Sequence, residues 1–125
     1  MNLNNSILED VRASLGLSRD TADFDSELVM HINNAIGQLG QNGVGSNIVV
    51  TGVSEKWIDL QNPLQVEGNE FFHMVPLFIM LSTKLIFDPP PPSTVEYYSK
   101  NVKESLWRLQ IAYEEISPKP DKELY

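Results

Sequence analysis

From Val95 to Ile116 the chain places an apolar residue at every third or fourth position. This spacing keeps those residues on one side of an α-helix of more than about five turns. The segment Ser93-Thr94-Val95-Glu96 has the form of a capping box, in which the Ser hydroxyl and the Glu carboxylate satisfy free N–H groups at a helix start. Pro118 and Pro120 end the pattern because proline lacks the N–H that a helix needs. The residues of the stripe are Val95, Tyr98, Val102, Leu106, Leu109, Tyr113 and Ile116.

Two shorter helices are predicted near the amino terminus. The first begins with the capping box Ser6-Ile7-Leu8-Glu9 and ends at Gly16. The second begins with Asp25 as its N-cap, with Phe24 placed to pack over its first turns, and ends in the glycines at 40 and 43. Its apolar face repeats at helical spacing and consists of Leu28, Ile32, Ala35, Ile36 and Leu39.

A third helix is predicted over much of Glu70 to Phe87, ahead of the proline run 89–92. It is apolar on nearly all sides, which is typical of a helix surrounded by others. Pro76 either kinks this helix or lies in its first turn. A further helical turn is expected between Ser54 and Leu60, with Trp57 and Leu60 pointing inward.

The segment between the second and third helices is the least regular. Ile48-Val49-Val50-Thr51 is rich in β-branched residues and too short for a helix, which predicts a strand or an extended loop. The predicted fold class is therefore mainly α, a small bundle of three to four helices with a short extended or β element between helices 2 and 3. The 125 residues suffice for one domain, assigned to 1–117, with 118–125 as a flexible C-terminal tail.

Composition excludes several classes of function. The chain has no cysteine, so disulfide frameworks, thiol catalysis and zinc sites with thiolate ligands are excluded. The formal net charge of −8 disfavours binding to phosphate backbones and to anionic membranes. The amino terminus has neither a basic start nor an apolar run, so no signal peptide is expected.

No catalytic or metal-binding arrangement stands out. The two histidines, His31 and His73, lack metal-ligand spacing to each other or to carboxylates, and we interpret them as structural or surface residues. The acidic residues that precede the second helix lack the central glycine of a calcium loop, and helix capping explains them better. We therefore expect no cofactor, no metal and no enzymatic activity. The acidic residues concerned are Asp20, Asp23, Asp25 and Glu27.

The chain has many large aromatic side chains for a small helical bundle. Tyr97 and Trp107 lie at the edges of the stripe on the last helix, where they either complete the core or form a subunit interface. Val49 and Val50 are a second candidate, because an extended segment can pair with a neighbouring subunit or reach toward a channel. Assembly is thus the leading class of function.

The sequence resembles the head-tail connector (adaptor) proteins of tailed bacteriophages over about residues 3–117. The four-proline run and Pro76 depart from the pattern of that family. The stretches that carry the resemblance are Phe24-Asp25-Ser26-Glu27-Leu28, Ile32-Asn33-Asn34-Ala35-Ile36, Gly43-Val44-Gly45, Trp57-Ile58-Asp59 and Leu85-Ile86-Phe87-Asp88-Pro89-Pro90.

The resemblance implies a structural virion protein, made in the cytoplasm of the bacterial host. Its partners would be further copies of itself in a ring of about twelve, the portal protein, and a stopper or tail-completion protein. DNA would pass through the ring without specific binding, and no membrane is involved. The carboxyl-terminal segment tends to reach the portal in this family, which makes Pro118, Leu124 and Tyr125 partner-binding candidates.

Two other classes remain open at this point. A small helical protein-protein interaction module, acting as a regulator or scaffold unrelated to virions, would use the same apolar residues in a different stoichiometry. A metal-dependent hydrolase would use Asp20, Asp23 and Asp25 and would have to bind a divalent cation.

Overall fold

Four α-helices and one 3₁₀ turn make up the regular structure in residues 2–44, 48–60 and 74–116, the part of the chain that the computed structural model describes. The prediction of a mainly α fold is confirmed. In chain order the elements are α1 (Ile7–Ser14), α2 (Asp25–Gln41), the 3₁₀ turn (Trp57–Leu60), α3 (Met74–Phe87) and α4 (Pro92–Ile116).

The ends of the first two helices follow local sequence signals. The Ser6 hydroxyl accepts a hydrogen bond from the Glu9 N–H, so the predicted N-cap of α1 is confirmed. Gly16 and Gly43 follow α1 and α2 with φ of 80° and 79°, a conformation that glycine adopts without steric cost. The Val44 N–H then donates to the Leu39 carbonyl at 2.8 Å, which is the closing bond of a Schellman motif.

The start of α2 differs from the prediction. Asp25 is the first helical residue, and Phe24 occupies the N-cap position without a side-chain cap. The Asp25 carboxylate is instead held by Arg12 of α1, at 3.0 Å from Nε and 2.6 Å from Nη2. The assignment of Asp25 as an N-cap is therefore wrong, because a guanidinium from another helix competes successfully for its carboxylate.

Two prolines lie within helices. Pro76 belongs to α3, two residues after Met74, where the described part of that helix begins, and whether it kinks the helix or lies in its first turn stays a prediction. Residues 70–73 of the predicted third helix lie outside the described residues. Pro92 is the first residue of α4, where the missing N–H costs nothing. The prediction that a Ser93 capping box starts this helix is wrong, because Ser93 is already inside it.

Among the described helices, α3 is central. Both α2 and α4 pack along α3, α1 packs against α2 and α3, and the Gln110 side-chain amide on α4 donates to the Asn42 side-chain oxygen just after α2 at 2.8 Å. Of the stripe residues whose side chains the structure describes, Leu109 alone is fully buried, while Val102, Leu106 and Tyr113 are partly covered. The largest fully buried side chains are Trp57, Phe78, Ile7, Leu8, Leu28, Ile32, Leu39, Ile79 and Leu109.

Of the extended or β element predicted between helices 2 and 3, the β alternative is not supported, because the described residues contain no strand. Val50 has an amide partner rather than a neighbouring strand: its N–H donates to the Asn33 side-chain oxygen at 2.8 Å, and its carbonyl accepts from the Asn33 amide at 2.9 Å. One side chain on α2 thus satisfies the backbone groups that a strand would have paired. The only β-type pairing in the described parts is an isolated antiparallel bridge between Ser6 and Lys56.

Candidate functional site

The outer face of α4 carries three large apolar side chains that nothing in the described subunit covers. Tyr97, Trp107 and Ile111 are 63%, 59% and 38% exposed. At about 100° per residue they lie within about 80° of one another around the helix axis, on the side opposite Leu109. Tyr97 and Trp107 are about 15 Å apart along the axis. We call this set the α4 aromatic face.

Charged residues separate the members of the α4 aromatic face. The Arg108 guanidinium donates to the Glu104 carboxylate at 2.7 Å, an exposed pair one turn apart. Such pairs contribute little to stability, since solvent screens them. Lys100 and Lys103 are exposed and form no ion pair within the described residues. Aromatic side chains and Arg are enriched at protein-protein interfaces, whereas Lys and Glu are depleted there.

The α4 aromatic face continues into an apolar groove between α3 and α4. The groove has a volume of about 720 Å³, and Leu77 on α3 lines it with 45% of its surface exposed. Tyr97 and Tyr98 lie at its α4 edge with ring centroids 6.0 Å apart. Because this groove joins the exposed rings to a second helix, the unpartnered surface is wider than α4 alone.

A second unpartnered surface lies on α2 and the segment 48–50. Val49 and Met30 are 63% and 60% exposed, and Ile48 and Val49 line a groove of about 480 Å³ beside α2. At Gly37 and Gly40 a Cβ atom would meet nothing within 4 Å, so this part of the groove is open. We call this surface the α2 groove. Its full lining is Asn33, Ile36, Gly37, Gly40, Gln41, Ile48 and Val49.

The two valines predicted to bind a partner differ in their exposure. Val49 points outward at the α2 groove, whereas the Val50 side chain is 1% exposed and packs in the core. The backbone of Val50 is also satisfied by Asn33, so this position offers no free strand edge. Only Val49 therefore has a side chain at the surface of the subunit.

A network of buried polar groups joins α1 to its neighbours, and sequence reasoning missed it. Asp10 is 8% exposed, accepts a hydrogen bond from the Trp57 indole at 2.7 Å and forms an ion pair with Arg19 at 2.6 Å. Arg12 is 4% exposed and pairs with Asp25 on α2. The sequence feature that could have revealed the buried Arg12 is its position one turn after Leu8, on the face that α1 buries.

The described residues provide no recognisable catalytic or metal centre. No group of three or more His, Asp or Glu side chains in the described ranges could hold a metal ion, and the acidic residues around Asp20 do not converge. His31 lies 3.4 Å from Glu27 on the same helix, and His73 lies outside the described residues. In the described ranges, Glu55 has a lowered pKa, mainly because its carboxylate accepts a hydrogen bond from the Thr51 backbone N–H.

The remaining site predictions lie elsewhere in the chain. Pro118, Leu124 and Tyr125 lie outside the described residues. No helix in the described ranges has the length and apolar character that crossing a bilayer requires.

Comparison with known proteins gives one match. The comparison with curated proteins and the comparison with solved structures gave no significant match. Residues 7–116 match the family model described as phage connector protein, which extends from the first residue of α1 to the last residue of α4. The match thus covers all of the described helices, and the chain belongs to the phage connector protein family, as a structural connector component of bacteriophage particles.

Proposed function

We propose that this chain is the adaptor subunit that assembles into a ring beneath the portal of a tailed-phage capsid. The ring binds the portal on one side and a stopper or tail-completion protein on the other. It joins head to tail and catalyses no reaction. The observation that carries the proposal is the family match over residues 7–116.

The surface of the subunit supports an assembly role. The described residues of one subunit leave the α4 aromatic face and the α2 groove uncovered, with Tyr97, Trp107 and Val49 more than half exposed. A monomer in water gains nothing from exposing such side chains, whereas an assembly gains the free energy of burying them. The same features favour a connector over an enzyme, since the described part of the chain brings no cluster of catalytic groups together with them.

The charge of the chain suits passage of DNA through the proposed ring. Each copy has a formal net charge of −8, and a ring of about twelve copies would be strongly acidic. An acidic lumen does not bind the duplex by counterion release, so the DNA can slide during packaging and ejection. Lysines introduced along the lumen should slow ejection, while the same number of added lysines on the outer surface should not.

A gene-deletion experiment tests the role directly. Phage lacking this chain should accumulate heads and tails that do not join, as seen by electron microscopy. Expression of the chain from a plasmid should restore joined particles that contain it. Heads that join tails normally without the chain, or purified particles that lack it, would contradict the proposal.

A truncation tests the proposed portal contact. Removal of residues 118–125, which include Pro118, Leu124 and Tyr125, should leave the helical content unchanged and weaken attachment to the portal. Circular dichroism measures the fold, and co-sedimentation with portal rings measures the attachment. A variant with Lys119, Asp121 and Lys122 changed to Ser is the control, since it keeps the apolar anchors. Full attachment by the truncated chain would remove the tail from the interface.

A further inference from the structure

We propose that two copies of this chain pair through the α4 aromatic face, with their α4 helices antiparallel about a twofold axis at the level of Val102. This inference goes beyond the proposed function, because it concerns the free chain before it joins a particle. The occupant of the α4 aromatic face is thus the same face of a second copy.

Four exposed charged residues lie on the same side of α4 as the aromatic face. They are Glu96, Lys100, Glu104 and Arg108, spaced four residues apart and alternating in sign. Glu104 and Arg108 pair with each other, whereas Glu96 and Lys100 form no ion pair within the described residues. At about 100° per residue, Lys100 and Glu104 lie on either side of the line midway between the two exposed rings.

This order of charges is complementary to itself when one helix is reversed. In an antiparallel pair centred on residue 102, Lys100 of one copy is level with Glu104 of the other. Glu96 of one copy is likewise level with Arg108 of the other. Because the contact is symmetric, each of these pairings occurs twice.

The same centre also aligns the aromatic side chains. Tyr97 of one copy is level with Trp107 of the other, again twice, and these rings flank the central charges. Both rings are more than half exposed in the described subunit, so the contact would remove large apolar surfaces from water. Burial of the rings supplies affinity, and the charges fix the register.

Other registers oppose like charges. A slide of four residues in one direction places Lys100 level with Lys100 of the second copy, and Glu96 level with Glu104. The opposite slide places Lys100 level with Arg108, and Glu104 level with Glu104. Two parallel helices about a twofold axis would place every charge beside its own copy. Charge complementarity therefore selects the antiparallel register centred on residue 102.

A twofold contact joins two copies and cannot extend further. It is therefore separate from the contacts that would close the proposed ring, and it covers the α4 aromatic face while the chain is free. A contact limited to one pair of helices buries a small area, so the dimer is expected to be weak.

Charge reversal tests the contact and its register. Sedimentation equilibrium at low ionic strength should show the unmodified chain as monomer and dimer. Lys100→Glu and Glu104→Lys each oppose like charges in the dimer, and each should raise the dissociation constant at least about tenfold. An equimolar mixture of the two variants should associate within about threefold of the unmodified chain, since each substitution meets the opposite charge on the other variant.

Lys103→Glu is the matched control. Lys103 is exposed, undergoes the same change of charge, and is level with the uncharged Asn101 in the proposed register. This variant should keep the dissociation constant within about threefold of the unmodified chain. Circular dichroism of all variants checks that the helical content is unchanged.

Three results would overturn the proposal. The first is an unmodified chain that stays monomeric up to about 1 mM. The second is a dimer that neither single charge reversal weakens, and the third is a mixture of the two variants that associates no more tightly than either alone. All of these measurements use the purified chain, so failure of the dimer leaves the gene-deletion test of the connector role unaffected.

Discussion

The region of α1 and the 3₁₀ turn differs from α4 in how far its apolar side chains are buried. Helix α1 has only 8 residues, yet Ile7, Leu8 and Val11 are fully buried. Helix α4 has 25 residues, and among its described side chains only Leu109 and Ala112 are buried. A short isolated helix is unstable in water, so α1 depends on tertiary packing, whereas α4 is long enough to leave apolar surface uncovered. The lesson is that helix length does not predict which helix forms the core.

The two tryptophans of the chain show the same contrast between a buried and an exposed apolar side chain. Trp57 has no exposed surface and donates a hydrogen bond to Asp10, while Trp107 is 59% exposed. The first stabilises the fold of one subunit, and the second is available for contact with another.

Substitution of these tryptophans should show the largest difference between the two regions. Trp57→Ala removes a fully buried ring and its bond to Asp10, and we expect a loss of about 4 kcal/mol in the free energy of unfolding. Trp107→Ala should change it by less than about 0.5 kcal/mol and should instead impair assembly. Urea titration followed by circular dichroism measures both. Equal losses of unfolding free energy would mean that Trp107 is as well covered as Trp57.

The next largest difference between the two regions should be in how much their ion pairs contribute to the free energy of unfolding. Asp25→Asn leaves the buried guanidinium of Arg12 without its carboxylate, and we expect a loss of about 3 kcal/mol. The matched change Glu104→Gln breaks the exposed pair with Arg108 on α4, which should cost less than about 1 kcal/mol. Thermal unfolding at low ionic strength compares the two variants. A Glu104→Gln variant as unstable as Asp25→Asn would remove this distinction.

A smaller loss of stability is expected from substitution of Asn33, which lines the α2 groove. Asn33→Ala deletes both hydrogen bonds to the Val50 backbone, and we expect a loss of about 2 kcal/mol together with a displaced 48–50 segment. Asn34→Ala, at an exposed neighbouring position, should stay within about 0.5 kcal/mol of the unmodified chain. Amide hydrogen exchange at Val50 reports the local change. Unchanged protection there would show that Asn33 is dispensable.

The smallest expected effect is the pH dependence contributed by Glu55. Its carboxylate accepts hydrogen bonds from the N–H groups of Thr51 and Gly52 and from the Thr51 hydroxyl, and the Thr51 backbone contact is the main cause of its lowered pKa. Because the pKa is lower in the folded state, this group stabilises the fold above the ordinary carboxyl pKa of about 4.3. The contribution is lost as the pH falls through the folded pKa.

Glu55→Gln should therefore flatten the decline of stability on acidification. Urea midpoints measured at a series of acidic pH values test this, with Glu96→Gln on α4 as the control. A steeper decline in Glu55→Gln than in the unmodified chain would reverse the assigned sign.

Features that depend on neighbouring residues could be predicted from the sequence. Ser6 caps α1 because its partner is three residues away, and the inward orientation of Trp57 and Leu60 in their turn is likewise confirmed. Tyr97 and Trp107 were assigned either to the core or to an interface, and their exposure in the subunit favours the interface.

Features that depend on distant partners were missed. Asp25 is paired with a residue 13 positions away, Val50 with one 17 positions away, and Trp57 with one 47 positions away. No spacing rule within one helix or strand contains that information. Of the two alternatives predicted for Ile48–Thr51, a strand or an extended loop, the strand is not supported, since a side chain of α2 bonds the Val50 backbone in place of a pairing strand.

The sequence alone determined which segments form helices and where α1 begins, because the Ser6 cap acts within one turn of its own position, whereas the first residues of α2 and α4 differ from the prediction. The tertiary structure alone decided which apolar residues are covered. Val49 and Val50 are adjacent and chemically identical, yet one is 63% exposed and the other 1%. Burial depends on which distant elements pack against a residue: Val50 packs in the core with its backbone bonded by Asn33 of α2, whereas the described residues leave the Val49 side chain largely exposed.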